Sequence, residues 1–231
     1  GKENAIPKEA KAVVSVRSCD ATTFEQSIKE SAAVWMQEIS ATEPHTKIEV
    51  EKTDIAADKV LNSHSTANVI YALQLSPDGV YQMSQEIKGM VQTSLNLGTA
   101  YLDADKLVYK YLIRSNTAAG KKLLLERVTT FVKHLSGKVV TMSDYPAWEY
   151  KRDSQLRKIC VDSFTNVYGH EPEVTSIHAG LECGILAGKM PGVDMISFGP
   201  TLESVHTPDE CMDAASVERT WEYLMEILKS L

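Results

Sequence analysis

The chain has 231 residues, a net charge of −7 and a hydrophobic fraction of 43%, which is enough apolar material for one large domain or two modest ones. Its acidic balance, without any cluster of lysine and arginine, argues against a nucleic-acid partner. No apolar stretch approaches the length of a membrane span, and the N-terminus lacks a signal-peptide pattern. We therefore expect no membrane partner and a cytoplasmic location. The widely spaced cysteines predict reduced thiols and no cysteine-type zinc site; they are Cys19, Cys160, Cys183 and Cys211.

The beginning of the chain has the pattern of a β-α-β unit. Residues 11–16 are typical of a strand, and residues 22–25 have the spacing of a capping box that opens a helix. Apolar residues then recur on one helical face, so we expect Trp35 and Met36 to lie in the core. Residues 47–52 alternate between polar and apolar side chains, as a half-exposed strand does.

The middle of the chain predicts a helix, two hairpin strands, a long helix and a further strand. A Ser-Pro-Asp-Gly turn signal at residues 76–79 follows the first helix, and Gly137 stands in the stopping position of the second. The hairpin strands flank residues 103–105. In order, these five elements span residues 65–75, 91–101, 107–114, 117–135 and 138–142.

The last part of the chain alternates helices with buried strands, which predicts an α/β layer architecture. We place a domain boundary at residues 144–148, where the earlier pattern breaks. Ser154 and Gly169 have the positions of helix caps, and Cys160 lies on the apolar face between them. Trp221 belongs to an apolar stripe of the final helix, so we expect it in the core. Between these two helices, the pattern predicts a strand, a helix and a strand over residues 174–177, 181–186 and 193–198.

His206 is the first candidate for chemistry. It follows the predicted strand over residues 193–198, beyond the carboxyl end where ligands and metals collect in open α/β sheets. Thr207 as N-cap and Pro208 as first helical residue predict a helix directly after it. A neighbouring carboxylate would hydrogen-bond the second imidazole nitrogen, as metal-bound histidines require. The alternative is an ordinary surface or capping histidine.

A second stretch with reactive side chains spans residues 177–184. Cys183 with a histidine would make a thiol hydrolase, but no oxyanion-hole pattern or third orienting group accompanies it. Gly180 and Gly184 lack dinucleotide or P-loop spacing and indicate a close backbone turn. Glu182 at a helix start also has a purely structural explanation, because the helix dipole stabilises a carboxylate there.

Three segments of this last part resemble the C-terminal region of bacterial aminoacyl-histidine dipeptidases. They are His-Ala-Gly-Leu-Glu-Cys-Gly at residues 178–184, Asp-Met-Ile-Ser-Phe-Gly-Pro at 194–200 and His-Thr-Pro-Asp-Glu at 206–210. This family, also called peptidase D or Xaa-His dipeptidases, belongs to the di-zinc exopeptidases with carnosinases and aminoacylases. Earlier segments resemble the family's lid domain and lid exit, in the same order; they span residues 4–9, 93–98, 112–115 and 145–148.

The resemblance implies a fold and a set of site residues. The fold is α/β, with an N-terminally incomplete ferredoxin-like α+β lid domain over residues 1–143 and the C-terminal segment of the catalytic domain over residues 144–231. His206 corresponds to a histidine ligand of a zinc pair, for which manganese or cobalt are alternatives. Arg114 corresponds to the lid arginine that binds the substrate's free carboxylate, which suits its bidentate fork. The remaining matches are Asn4, which would polarise the scissile carbonyl, and Glu182 and Gly180, which would line the substrate cavity.

The family's other zinc ligands, bridging aspartate and general base have no counterpart in this sequence. One histidine cannot hold two zinc ions or activate their water, and the chain opens at Gly1 without an initiator methionine. We therefore expect the C-terminal fragment of a zinc-dependent dipeptidase, inactive alone. Its expected partners are a dipeptide substrate, the missing N-terminal catalytic segment and a second copy in a homodimer. The alternative is a non-catalytic dimerisation or binding module derived from the family.

Overall fold

The computed structural model describes residues 3–53, 59–103, 105–176 and 182–231. The chain divides into two compact units, one of Lys8–Tyr71 and one of Gly1–Pro7 with Ala72–Leu231. In chain order the helices and strands are α1 (Ala21–Ile39), α2 (Ser63–Leu75), β1 (Gly79–Met83), β2 (Val91–Asp103), β3 (Lys106–Ser115), α3 (Ala118–His134), α4 (Gln155–Tyr168), α5 (Glu182–Lys189), β4 (Leu202–Glu203), β5 (Cys211–Met212) and α6 (Ala214–Ser230). This mixture of helices and sheet confirms the predicted α/β class. Within the described residues, no helix is both long and apolar enough to cross a membrane.

The β-α-β unit predicted for the first residues is wrong. Residues 11–16 and 47–52 form no strand; an alternating pattern becomes a strand only where a neighbouring backbone completes the ladder of hydrogen bonds. The predicted capping box is also wrong, since α1 begins at Ala21 after Asp20. Trp35 remains 60% exposed, whereas Ala32 is the buried residue of α1. The helical pattern correctly groups the apolar residues on a face, but it does not determine which face another element covers.

β1, β2 and β3 form an antiparallel sheet in the order β1-β2-β3. The predicted hairpin of β2 and β3 is confirmed, with Thr93 opposite Ser115 and Leu95 opposite Ile113. These residues lie on the face covered by α3, where Leu95 packs with Leu124 and Val128. We call the opposite side of the sheet the distal face; because strand side chains alternate, its residues are Ser94, Asn96, Lys110, Leu112 and Arg114.

α3 is attached closely to the end of the hairpin. The side chain of Thr117 accepts a hydrogen bond from the backbone N–H of Gly120, as an N-cap residue does. A Cβ atom at Gly120 would lie 2.6 Å from Thr93 Oγ1 and 2.7 Å from Ser115 Oγ, so only glycine lets the helix approach the strands here. The helix ends as predicted near Gly137, whose N–H donates to the carbonyl oxygen of Val132. Residues 138–142 form no strand, contrary to the prediction.

α4 and α6 form the second packing centre of this unit. Cys160 is buried against Tyr223 and Ile227, which confirms its predicted packing role. The Tyr223 hydroxyl donates to the carbonyl oxygen of Cys160 at 2.9 Å, and burial raises the pKa of Tyr223 so that the proton stays in place. Trp221 is 62% exposed, so its predicted core position is wrong. It lies two residues before Tyr223, which turns it to roughly the opposite side of the helix at about 100° per residue.

Asp194 joins the segment between α5 and β4 to the start of α4. Its carboxylate accepts hydrogen bonds from the Ser154 hydroxyl at 2.8 Å and from the Leu156 N–H at 3.2 Å. Burial raises the pKa of Asp194, but the bonds from Ser154 and Leu156 and the charge of Lys151 outweigh it, so the pKa lies below its usual value. The strand predicted over residues 193–198 is absent, and residues 174–176 of the strand predicted over residues 174–177 form none either. Side-chain hydrogen bonds of Asp194, and not a strand ladder, hold the segment between α5 and β4.

Candidate functional site

His206 lies in the loop between the two short strands β4 and β5. Glu203 pairs with Cys211 at the base of this hairpin, and the backbone N–H of His206 donates to Glu210 Oε2 at 2.8 Å. The residue is exposed and has a φ of +65°, an uncommon conformation for a residue other than glycine. A strained backbone of this kind is frequent at functional sites. The loop therefore presents the histidine at a bend whose shape depends on Glu210.

The helix predicted to start immediately after His206 is displaced. Thr207 builds a turn instead of capping a helix: its hydroxyl donates to the carbonyl oxygen of Ser204 at 2.7 Å and accepts from the N–H of Asp209 at 3.2 Å. Such local side-chain bonds compete with helix formation. α6 begins only at Ala214, after Asp213 takes the N-cap position. Because residues 193–198 form no strand, His206 does not lie at a carboxyl sheet edge in this structure.

The donor set around His206 suits a metal site that is completed by other groups. A neutral imidazole is a normal zinc ligand, but a zinc site needs three or four protein ligands. Across the described residues there is no group of three or more histidine, cysteine, aspartate or glutamate side chains that could hold an ion. A zinc site that included His206 would therefore need ligands from beyond this loop.

Arg114 and Asn4 are brought to the same side of the sheet. Arg114 lies opposite Ser94 near the end of β3, on the distal face. The side chain of Asn96, also on this face, donates from Nδ2 to the carbonyl oxygens of Glu3 at 3.3 Å and Ala5 at 3.0 Å. These two bonds hold the residues on either side of Asn4 against the distal face. Arg114 and the segment that contains Asn4, far apart in the sequence, thus lie on one face of the sheet.

The turn after β3 is connected to the segment that leads into the second reactive stretch. Asn116, two residues after Arg114, donates from Nδ2 to Ser176 Oγ at 3.1 Å. Ser176 precedes residues 177–181, which include Gly180 and His178 and lie outside the described residues. The predicted cavity role of Gly180 therefore remains untested. So does a thiol nucleophile at Cys183 with His178 or His206 as its base.

Glu182 is the first residue of α5 and is exposed. α5 lies against the predicted domain boundary itself: a Cβ atom at Gly184 would be 2.7 Å from the carbonyl oxygen of Pro146. Gly184 therefore permits a close backbone approach, as its type predicts, but inside a helix instead of in a turn. Glu182 stands at the helix end where the dipole favours a carboxylate. Its cavity-lining role stays a prediction, as does the domain boundary.

The exit segment, which we define as residues 144–149, is fastened to the start of α3. Lys121 Nζ contacts Asp144 Oδ1 at 2.5 Å and the carbonyl oxygen of Tyr145 at 2.6 Å. Glu149 accepts a hydrogen bond from the backbone N–H of Ala118 at 2.8 Å, which satisfies one of the donors that a helix N-terminus leaves open. Together with the bond between Asn116 and Ser176, these contacts gather three chain segments beside the strand end that carries Arg114.

Sequence reasoning missed Asn96 and Gly98. Both lie in a segment with family resemblance, at residues 93–98, but only the structure reveals their contacts with residues 3–5. Those contacts join residues about ninety positions apart, so no local spacing announces them. The signal within the sequence is a glycine inside a strand, which indicates close approach by another backbone.

The chain matches known peptidases along nearly its whole length. Residues 11–230 match the family described as peptidase family M20/M25/M40. The chain is 30% identical over 229 residues to the cytosol non-specific dipeptidase of Escherichia coli (strain K12), which covers 99% of this chain and 47% of that protein. The structure matches the aminoacylhistidine dipeptidase of Vibrio alginolyticus with a TM-score of 0.82 and 29% identity, over 93% of this chain and 44% of the other.

A more distant match shares the fold alone. The aminopeptidase PepT of Bacillus cereus is 17% identical with a TM-score of 0.51, over 72% of this chain and 45% of the other. In all three comparisons with individual proteins, the chain spans slightly less than half of the relative's length.

Proposed function

Because the chain belongs to peptidase family M20/M25/M40, we propose that it is the C-terminal part of a zinc-dependent dipeptidase that hydrolyses Xaa-His-type dipeptides. In this proposal residues 1–143 belong to a ferredoxin-like lid domain and residues 144–231 to the catalytic domain. The observation that carries the proposal is the distal face, on which Arg114 and the segment of Asn4 lie together. The names of the relatives from E. coli and V. alginolyticus support the reaction class.

Arg114 binds the free carboxylate of the dipeptide. A planar guanidinium donates two parallel hydrogen bonds to a carboxylate, which fixes the substrate's orientation as well as its position. The Asn4 side chain then donates from its amide nitrogen to the oxygen of the scissile carbonyl. Donors that are fixed in advance at the point where negative charge develops stabilise the transition state more than the ground state.

His206 contributes one imidazole to the metal centre, with Glu210 holding the backbone of its loop. When bound, zinc supplies Lewis acidity toward the carbonyl and lowers the pKa of water. Manganese and cobalt are the alternative ions. The other ligands and the general base come from a part of the protein outside these 231 residues, so this chain alone is inactive. Glu182 and Gly180 line the substrate cavity.

The proposal includes the assembly and the location of the protein. The complete enzyme is a homodimer, and it acts in the cytoplasm, as the name of the E. coli relative says of that protein. Preference for histidine in the second position follows the name of the V. alginolyticus relative.

The second candidate is a non-catalytic dimerisation or binding module. It is favoured by the donor set, since the described residues supply no group of three candidate ligands. The two candidates differ in one measurable quantity, the zinc content of the full-length protein. An enzyme binds two ions per chain, whereas a module built on this donor set binds none tightly.

The test is the substitution His206→Ala in the full-length protein. We expect the zinc content to fall and dipeptidase activity to drop by at least about 10³-fold, because an incomplete ligand set neither retains the metal nor shapes its open position. The matched control is His45→Ala, since His45 is an exposed histidine in the other compact unit. Full zinc content and unchanged activity of the His206→Ala variant would reject the metal-ligand role.

A further inference from the structure

One carboxamide side chain binds residues 3–5 at two points on the distal face. An asparagine side chain has two N–H donors, and Nδ2 of Asn96 serves the carbonyl oxygens of both Glu3 and Ala5. Asn4 is the residue between them. Because the peptide groups on both sides of Asn4 are anchored, the backbone angles of Asn4 are restricted, and with them the direction in which its side chain leaves the chain.

Gly98 provides the space for this arrangement. A Cβ atom at this position would lie 2.5 Å from the carbonyl oxygen of Glu3 and 2.8 Å from its Cα atom, so any side chain would displace the segment. The β2–β3 register shifts between Leu97 and Thr99, which makes Gly98 the extra residue of a β-bulge. Bulges change the direction of a strand, and this bulge places Gly98, which has no side chain, against the backbone of Glu3.

The third contact with this segment is an ion pair between two side chains, and it does not involve the backbone of residues 3–5. Lys110 Nζ lies 2.8 Å from Glu3 Oε1, and both side chains are substantially exposed. Exposed pairs between two long side chains contribute little to stability and specify geometry loosely. The anchoring of Asn4 therefore depends on Asn96 and Gly98, which act on the backbone itself.

We propose that Asn96 is a positioning residue of the active site: its two hydrogen bonds to Glu3 and Ala5 orient Asn4 toward the scissile carbonyl of a substrate held by Arg114. This inference rests on the proposed function of Asn4 and Arg114. Asn96 acts through Asn4 and does not touch the substrate. Aspartate in its place has nearly the same shape, but it has no N–H and directs negative charge at two carbonyl oxygens, so it releases the segment.

Full-length enzyme with Asn96→Asp or Asn96→Ala tests the proposal. We expect kcat to fall by about 10- to 100-fold, since small misplacements of a group that acts in the transition state have effects of this size. KM should stay within about threefold, because Arg114 still holds the substrate carboxylate. The matched control is Asn166→Asp, at an exposed asparagine on α4, which should retain the kcat of the unmodified enzyme.

A double variant shows whether Asn96 affects kcat only through Asn4 or also independently of it. Asn4→Ala should lower kcat by a similar or larger factor, and Asn4→Ala with Asn96→Ala should lower it no further, because the second change acts only through the first residue. Multiplying effects of the two changes would overturn the proposal. So would the kcat of the unmodified enzyme in Asn96→Asp, or loss of the cooperative melting transition in Asn96→Ala, which would assign Asn96 to the fold.

The single variants also distinguish this inference from the proposed function. If Asn4→Ala and Arg114→Ala both retain full activity, the proposed function of the distal face fails, and the inference fails with it. If both lose activity while Asn96→Asp matches Asn166→Asp, the proposed function stands and only the positioning role of Asn96 is overturned.

Discussion

The distal face and the loop of His206 are held in place by different kinds of contact. The distal face depends on long-range contacts, namely the β2–β3 ladder and the bonds from Asn96 to residues 3–5. The His206 loop depends on bonds between near neighbours, such as those from His206 to Glu210 and from Thr207 to Ser204. The first region is therefore shaped by the fold of its own unit. The second is shaped by its own neighbouring residues, and under the proposed function a bound metal would fix its final position.

After the loss expected on removal of the His206 side chain itself, the largest expected effect concerns the distal face. Arg114→Ala in the full-length enzyme should lower kcat/KM for a dipeptide by about 10²- to 10³-fold, because truncating one partner of a hydrogen-bonded charge pair costs about 2–5 kcal/mol. The loss should appear mainly in KM and should be much smaller for the same dipeptide with a C-terminal amide. Arg17→Ala is the control, since Arg17 is an exposed arginine of the other unit. Equal losses on acid and amide would show that Arg114 does not bind the carboxylate.

The next effect tests whether activity depends on the close contact between Gly98 and the backbone of Glu3. Gly98→Ala should lower kcat by up to about 100-fold, since the added Cβ would displace Glu3 and misplace Asn4. Gly199→Ala is the control, because a Cβ at Gly199 meets no atom within 4 Å. Steady-state kinetics and a melting curve measure both variants. Unchanged kcat in Gly98→Ala would mean that the position of residues 3–5 does not limit the reaction.

A smaller effect is expected in the locally held loop. Glu210→Ala should weaken zinc binding by about 10-fold, a typical effect of removing a group that supports a metal ligand, because the His206 N–H loses its acceptor. Glu218→Ala on α6 is a control with the same change of charge at an exposed residue. Competition with a chelator measures the affinity. If the affinities of the two variants agree, Glu210 does not hold the loop in its metal-binding shape.

The smallest effect concerns stability. Asp194→Asn should lower the free energy of unfolding by about 1–2 kcal/mol at neutral pH, since a capping carboxylate loses bonds at the start of α4. Because the pKa of Asp194 is lowered in the folded state, its contribution is complete above the unfolded value of about 3.9 and is lost as the pH falls through the folded pKa.

Denaturant titrations between about pH 3 and pH 7 measure this contribution. The difference between the unmodified protein and Asp194→Asn should be constant near neutrality and shrink below about pH 4. Asp162→Asn, at an exposed aspartate on α4, should show neither the loss nor the pH dependence. A difference that grows toward acid pH would contradict the role of the Asp194 carboxylate as a cap.

The elements that sequence patterns predict well are those specified by near neighbours. Thr117, Ser154 and Gly169 fulfil their predicted places at the ends of α3 and α4, because a cap is a contact within three or four residues. The strands expected over residues 11–16 and 193–198 fail, because an apolar run becomes a strand only beside another backbone. Trp221 fails for a related reason, since periodicity does not say which face α4 covers.

In the candidate site, too, sequence patterns predict contacts between near neighbours and miss those between distant residues. The alignment of Arg114 with Ser94 is a consequence of the predicted hairpin, whose register a sequence pattern approximates. The role of Asn96 is visible only in three dimensions, because its partners Glu3 and Ala5 come from the far end of the chain. The metal-ligand role proposed for His206 rests on family resemblance, while its geometric premise, a preceding strand over residues 193–198, is wrong.

The close fit of Gly120 between the hydroxyl groups of Thr93 and Ser115 limits how α3 can move. Thr93 and Ser115 hold the start of α3 so closely that the helix cannot slide along the strands without a clash. Lys121 and the N–H of Ala118 fasten the exit segment to that same helix turn. Sheet, helix start and exit segment are therefore packed as one continuous body, and Arg114 lies at the strand end beside it. Under the proposed function, a substrate that displaces Arg114 would also displace residues 144–149 through this body.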